Sequence, residues 1–199
     1  MLLFGHVGIT LGAGLALKKV YAGQPVQASE ASPPLGQGLA AHLSYIVKQM
    51  DLRILMLGAM LPDIIDKPLG QVILKSTFMN GRIFAHTLVF LITLSLLGVW
   101  LYRRRGSGWL IVLAFGSALH MLEDSLWNGF LRTLLWPIRG IRFERLELDN
   151  YVGSLWDEFL HAPAVYVPEW IGIAVIVGLS IFLIRRKEVR SFIRNGLFV

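Results

Sequence analysis

Residues 84–102 read FAHTLVFLITLSLLGVWLY and run directly into Arg103, Arg104 and Arg105. Nineteen apolar-dominated residues closed by a basic triplet are enough to cross a hydrocarbon core, since a helix rises about 1.5 Å per residue. The pattern returns after a short turn at 106–108. Residues 109–126 form a second apolar stretch, and residues 165–184 a third that ends in Arg185, Arg186 and Lys187. Two shorter stretches, 3–17 closing on Lys18 and Lys19, and 52–61, carry Leu, Met and Ala without two-residue alternation. They also predict helices, which tilt, pack among neighbours or enter without spanning, the second being too short to cross alone. At 55% hydrophobic and 16% charged residues, with a mean hydropathy of +0.60, the chain is too apolar for an ordinary soluble domain. The expected fold is all-α: a multipass transmembrane helical bundle with about five membrane-embedded helices, one domain over residues 1–199.

The linking segments complete this picture. Residues 24–38 are rich in Pro, Gly, Ser and Gln, and the whole of 24–50 is expected to be a flexible cytoplasmic loop. Val26 and Ala28 loosely resemble a signal-peptide cleavage site, but the first apolar run has its lysines after it rather than before it. Residues 127–169 mix Trp136, Trp156, Arg132, Arg139, Arg142 and Arg145 with Glu144, Glu147 and Asp149, as expected of an interfacial segment covering a site mouth. Placing Lys18, Lys19, Arg53 and the two arginine clusters in the cytoplasm makes the chain alternate sides, with its amino terminus outside and its carboxyl terminus inside a plasma or inner membrane. The net charge of +6 belongs to these juxtamembrane clusters; no basic stripe with interleaved aromatics points to direct nucleic-acid binding. With no cysteine in the chain, disulfides and thiolate zinc sites are excluded, so any metal is held by nitrogen and oxygen.

Under that topology His6, Asp63, Asp66, His86, His120 and Asp124 all fall on the outer side, in or beside apolar stretches where an ionisable side chain is costly. Counted from the shared turn, His86 and His120 lie at similar depth on two antiparallel helices. His120 and Asp124 are four apart and share a helix face. Asp63 and Asp66, three apart, straddle the point just after Pro62 where the helix is expected to end or kink. Gly58, Gly81, Gly116 and Gly129 leave room for close backbone approach. Blander readings stand beside these: His6 marking an interface, Asp63 capping a helix, Asp66 pairing with Lys67, and His86, His120 and Asp124 as a buried hydrogen-bonded trio. Glu123 points away from His120, toward solvent or another helix, and is a candidate general base. Arg82 is either a snorkelling anchor or a grip on a phosphate oxygen. Asp157, Glu158 and His161 have ligand spacing, which an amphipathic surface helix explains equally well.

Four blocks in order, Gly58-Ala-Met-Leu-Pro-Asp63-Ile-Ile-Asp66-Lys-Pro68, Gly81-Arg-Ile-Phe-Ala-His86-Thr-Leu, Gly116-Ser-Ala-Leu-His120-Met-Leu-Glu-Asp124-Ser and Leu135-Trp-Pro137, resemble the membrane-bound metal-dependent hydrolases of the YdjM-like group. His6 fits the early histidine of that group, and the likeness runs to about residue 140. Relatives often carry a tighter Pro-Asp-x-Asp pair followed by histidine, where Lys67 stands here, and His-Arg where Asn80-Gly81-Arg82 stands here. The group is distantly similar to zinc-dependent phospholipase C and P1-type nucleases, an analogy at the level of chemistry.

The resemblance implies a hydrolytic centre holding a divalent ion, zinc first, with manganese or iron as alternatives. His6, Asp63, Asp66, His86, His120 and Asp124 are the candidate ligands. Glu123 or Asp66 would accept a proton from a water whose pKa the ion lowers to about 7, and Arg82 would assist an anionic leaving group. The expected partners are the bilayer and a lipid or lipid-linked ester or phosphoester. A small ion or proton transporter, or a metal-binding membrane protein without turnover, is the rival. A transport pathway calls for polar residues through the full depth, whereas here they gather at one end.

Overall fold

The computed structural model describes residues 2–22, 33, 36, 38–125, 130–143, 145 and 151–196, and every regular element among them is helical. In chain order these are α1 (Leu3–Ala22), α2 (Leu39–Lys48), α3 (Leu52–Pro68), a π-helical turn (Leu69–Ile73), α4 (Leu88–Arg105), α5 (Trp109–Ser125), α6 (Phe130–Leu134), α7 (Tyr151–His161), α8 (Pro163–Arg186) and α9 (Val189–Asn195). The all-α expectation is met, but five membrane crossings do not follow from the helices themselves. Among the described residues only α8, with 24 residues, is both long and apolar enough to cross a membrane alone. At 17 residues each, α3 and α5 fall short of the ~20 residues that a ~30 Å core requires, and three of the 18 residues of α4 are arginines.

Packing centres on α3, which lies between α1 and α5. Gly58 and Gly116 let α3 and α5 meet backbone to backbone: a Cβ on Gly58 would strike the Leu113 carbonyl, and one on Gly116 the Leu55 carbonyl. Gly8 and Gly172 do the same for α1 and α8. Small residues at such crossings are how helices gain van der Waals contact where no hydrophobic drive separates helix from lipid. Below the crossing, Leu11, Met50, Leu52, Leu55 and Val112 form a buried apolar cluster. Outward, Ile92, Leu96, Leu97 and Trp100 of α4 and Trp170, Ile171, Ile181 and Ile184 of α8 are exposed, apolar faces larger than a water-facing surface usually tolerates.

The basic end is tied together by main-chain groups. Lys18 donates to the carbonyls of Lys48 (3.2 Å) and Met50 (2.8 Å). Asp51 caps α3 by accepting from the Arg53 N–H at 2.8 Å, and Arg53 reaches the Ile193 carbonyl of α9. Gly106, at φ +66°, closes α4 before the turn into α5.

Two local expectations change. Pro62 does not end its helix: α3 runs on to Pro68. Proline removes the N–H that would bond the Gly58 carbonyl, and Ser117 on α5 donates to that carbonyl instead, at 3.0 Å. The supposed loop 24–50 contains α2, whose Ile46 packs on the apolar cluster; tertiary contact stabilises a short helix that composition hides. Residues 24–32, 34, 35 and 37, with the cleavage-like Val26 and Ala28, lie outside the described residues. The segment 127–169 contains α6, α7 and the start of α8, while Trp127, Gly129, Glu144, Glu147 and Asp149 lie outside the described residues.

Candidate metal centre

The helix expected from residue 84 begins at Leu88, and the reason is a carboxylate. Asp66, near the end of α3, accepts from the main-chain N–H groups of Ile83 (2.8 Å), Ala85 (3.0 Å) and His86 (3.1 Å). These bonds hold residues 83–86 as a loop wrapped around one side chain, and Thr87 then caps α4 by accepting from the Phe90 N–H at 3.1 Å. Upstream, the Asn80 side chain accepts from the Arg82 N–H at 2.8 Å. Gly70 lies so close to the Asn80 carbonyl that no Cβ would fit.

That loop brings His86 to His120 of α5 and His6 of α1, with Asp63 from α3 and Asp124 one turn beyond His120. All five are buried, none more than 6% exposed. Each imidazole has its Nδ1 committed to a different acceptor: His6 to Glu123 Oε2 at 2.7 Å, His86 to Asp66 Oδ2 at 2.7 Å, and His120 to the Ala59 carbonyl at 2.6 Å. A carbonyl can only accept, so His120 carries its hydrogen on Nδ1; a carboxylate imposes the same tautomer on the other two. The Ala59 carbonyl is itself one residue past Gly58, in the turn that Pro62 loosens.

The three Nε2 atoms therefore turn lone pairs inward. Those of His86 and His120 stand 3.2 Å apart. Asp63 Oδ1 lies 3.5 Å from His86 Nε2 and 3.9 Å from His120 Nε2, and Asp124 Oδ2 lies 3.7 and 3.8 Å from the same two nitrogens. His6 Nε2 is 3.5 Å from Asp124 Oδ1, and its ring stacks on that of His120 with centroids 4.0 Å apart. Nitrogen and oxygen ligands bound at about 2.0–2.2 Å stand roughly 3–4 Å from one another around one ion, so these spacings fit a divalent cation. Asp63, His86 and His120 form one metal-capable group, and His6, His120 and Asp124 another. They share His120 Nε2, which has one lone pair, so both groups cannot draw on it at once.

Asp66 and Glu123 take different places from those the sequence suggested. Asp66 is in neither metal-capable group, and its oxygens are occupied by three N–H groups and the His86 ring. Glu123 does face another helix, as expected of a side chain turned from His120: it holds the His6 ring, and Thr10 donates to its other oxygen at 3.2 Å. Each carboxylate is bonded to the Nδ1 of a histidine, and such a bond fixes tautomer and ring orientation. Lys67 pairs not with Asp66 but with Asp63, at 2.6 Å. Arg82 forks onto Asp124, Nε to Oδ2 at 2.8 Å and a terminal nitrogen to Oδ1 at 3.2 Å. Asp157 and His161 pair with each other at 3.0 Å in the open, and Glu158 is exposed beside them; all three form a solvated helix face outside the cluster.

Glu169 was not singled out from the sequence, although a lone acid inside the most apolar span is a signal in itself. It is buried in α8 and accepts from the main-chain N–H groups of Leu2 (2.6 Å) and Phe4 (2.9 Å), which fastens the first turn of α1 and thereby the height of His6. Thr10 had a similar signal, four residues after His6 on the same face.

Residues 1–193 match the family model described as YdjM inner membrane protein. No curated protein and no solved structure matches the chain.

Proposed function

The chain belongs to the YdjM inner membrane protein family, and from that premise we propose that it is a multipass, metal-dependent membrane hydrolase. Its His/Asp centre lies near the outer interface and acts on an ester or phosphoester of a lipid or lipid-linked substrate. One observation carries the reading: with the Nδ1 of each ring bonded elsewhere, the Nε2 atoms of His86 and His120 face each other across 3.2 Å, a spacing that a cation shared by their lone pairs would fill. His86, His120, Asp63 and Asp124 would hold a single dication, with His6 beside them, and zinc suits this sulfur-free set best. When bound, such an ion supplies Lewis acidity toward an ester oxygen and makes water acidic enough to lose a proton near neutrality. Asp66, Glu123 and the Ala59 carbonyl keep the protons on the three Nδ1 atoms, so the Nε2 lone pairs stay available.

The family's inner-membrane setting supports a lipid substrate, as does an apolar recess of about 360 Å³ lined by Leu2, Leu3, Phe4, Trp156, Phe159 and Ile173, at the end of α1 that carries His6. A hydrocarbon chain fits that lining, because the carboxylate of Glu169 in its wall is already engaged by main-chain N–H groups. The apolar cluster of Leu11, Leu52, Leu55 and Val112 beneath the centre argues against a polar path through the bundle. Gathering of Lys18, Lys19, Arg53, Arg103, Arg104, Arg105, Arg185 and Arg186 at the opposite end supports an outward-facing centre.

The first test is elemental analysis of detergent-purified protein, in which the wild type carries stoichiometric metal and His120→Ala and Asp124→Ala carry none. The second is a screen of lipid phosphoesters and carboxyesters. A metal-loaded wild type inactive across the whole screen would sink the hydrolase reading.

A further inference from the structure

Asp63 and Asp124 each face two ways. One oxygen of Asp63 looks toward the histidines, while the other accepts from Lys67 Nζ. Asp124 spans the His6, His86 and His120 nitrogens on one side and the Arg82 fork on the other. The two cations are neighbours, because the stem of Lys67 packs against the backbone at Gly81, the residue before Arg82; a Cβ there would stand 3.1 Å from Lys67 Cγ. They are also the accessible part of the cluster, with side chains 37% and 39% exposed, whereas the carboxylates they hold are 7% and 2% exposed.

We propose that Lys67 and Arg82 together form an anion seat on the rim of the centre, which selects a phosphoester over a neutral carboxyester. The inference rests on the metal-centre reading above and narrows its substrate. An ammonium has three donors, of which Asp63 takes one; a guanidinium has five, of which Asp124 takes two. The remainder suit the several charged oxygens of a phosphate, which a lysine meets as a point charge and an arginine as a planar fork. A dication bound by Asp63 and Asp124 would draw on the same negative charge that now tethers the two cations. The seat is therefore strongest once metal is in place. A neutral ester offers these cations no charge to meet.

The test uses the full chain in detergent at low ionic strength, where screening is weak, loaded with zinc and checked by elemental analysis. Inorganic phosphate is then titrated calorimetrically, with acetate as the comparison anion. The wild type is expected to bind phosphate well above acetate. Lys67→Gln is expected to keep its metal and its melting temperature but to weaken phosphate by about tenfold or more, the scale of one charged hydrogen bond, and Lys67→Arg to retain most of the affinity. A purely structural role for Lys67 would move melting or metal content and leave the preference for phosphate over acetate intact. Metal-loaded wild type that binds phosphate no better than acetate, or Lys67→Gln that binds it as the wild type does, overturns the anion seat and leaves a hydrolase of neutral esters. Absence of stoichiometric metal in the wild type overturns the centre and this inference with it.

Discussion

The two ends of this bundle hold their ionisable side chains to opposite effect. At the basic end, Lys18 and Arg53 are bound to main-chain carbonyls, and the Arg53–Asp51 pair is partly exposed. At the other end, His6, His86, His120, Asp63 and Asp124 are buried, and their hydrogen bonds are with one another or with groups that orient them. Charges that water can reach serve as anchors and are individually worth little. Charges withdrawn from water must be matched, and Asp63 and Asp124 meet Lys67 and Arg82 on one side and the histidine nitrogens on the other. The cations at the two ends are equally exposed, and it is the burial of the carboxylates that separates the site from the anchor.

That contrast can be broken most sharply where the backbones touch. Gly116→Val pushes a side chain into the Leu55 carbonyl. It is expected to separate α3 from α5, to cost about 1–3 kcal/mol or more as overpacking does, and to abolish metal binding; a detergent melt followed by elemental analysis reads both. Next come the positioning residues. Asp66→Asn and Glu123→Gln leave the ligands in place but weaken the orienting bond, so each should lower metal affinity by roughly 10–100-fold in a competition titration. Affinity unchanged in both would mean the rings are held by packing alone. Ser117→Ala removes the donor that replaces the N–H missing at Pro62, and a loss of about 0.6–1 kcal/mol in the melt is expected for one interhelical hydrogen bond.

The basic end should respond least. Arg53→Ala is expected to change stability by no more than about 0.5 kcal/mol. Burial opposes ionisation of Asp51, yet hydrogen bonds from Arg53 hold its carboxyl below the usual range. A depressed carboxylate stabilises the fold above its unfolded pKa and loses that contribution as pH falls through its folded value. An acid-side loss of melting temperature that persists unchanged in Asp51→Asn would assign the loss to other carboxylates.

Much of the site was visible before any fold was known, because an ionisable residue in an apolar run stands out at once. His6, Asp63, His86, His120 and Asp124 were each conspicuous by that cost, and the hairpin count placed His86 level with His120. Arg82 and Asp66 were conspicuous too, but not their partners. Nothing in the order of residues says that Lys67 reaches back to Asp63 rather than sideways to Asp66, or that Asp66 collects three N–H groups from a loop 17 to 20 residues away. α2 was hidden by the Pro- and Gly-rich stretch before it, and Pro62 misled because its missing hydrogen bond is replaced from another helix.

The sequence by itself determined the solvent the chain faces, the helical period of its segments and which residues carry chemistry, since these follow from side-chain properties and spacing along one strand of chain. Only the tertiary structure decided which nitrogen of each histidine is available, which carboxylates join a metal-capable group and which hold a ring. Those choices depend on acceptors contributed by other helices, and a hydrogen bond across a bundle leaves no local trace in either of the segments it joins.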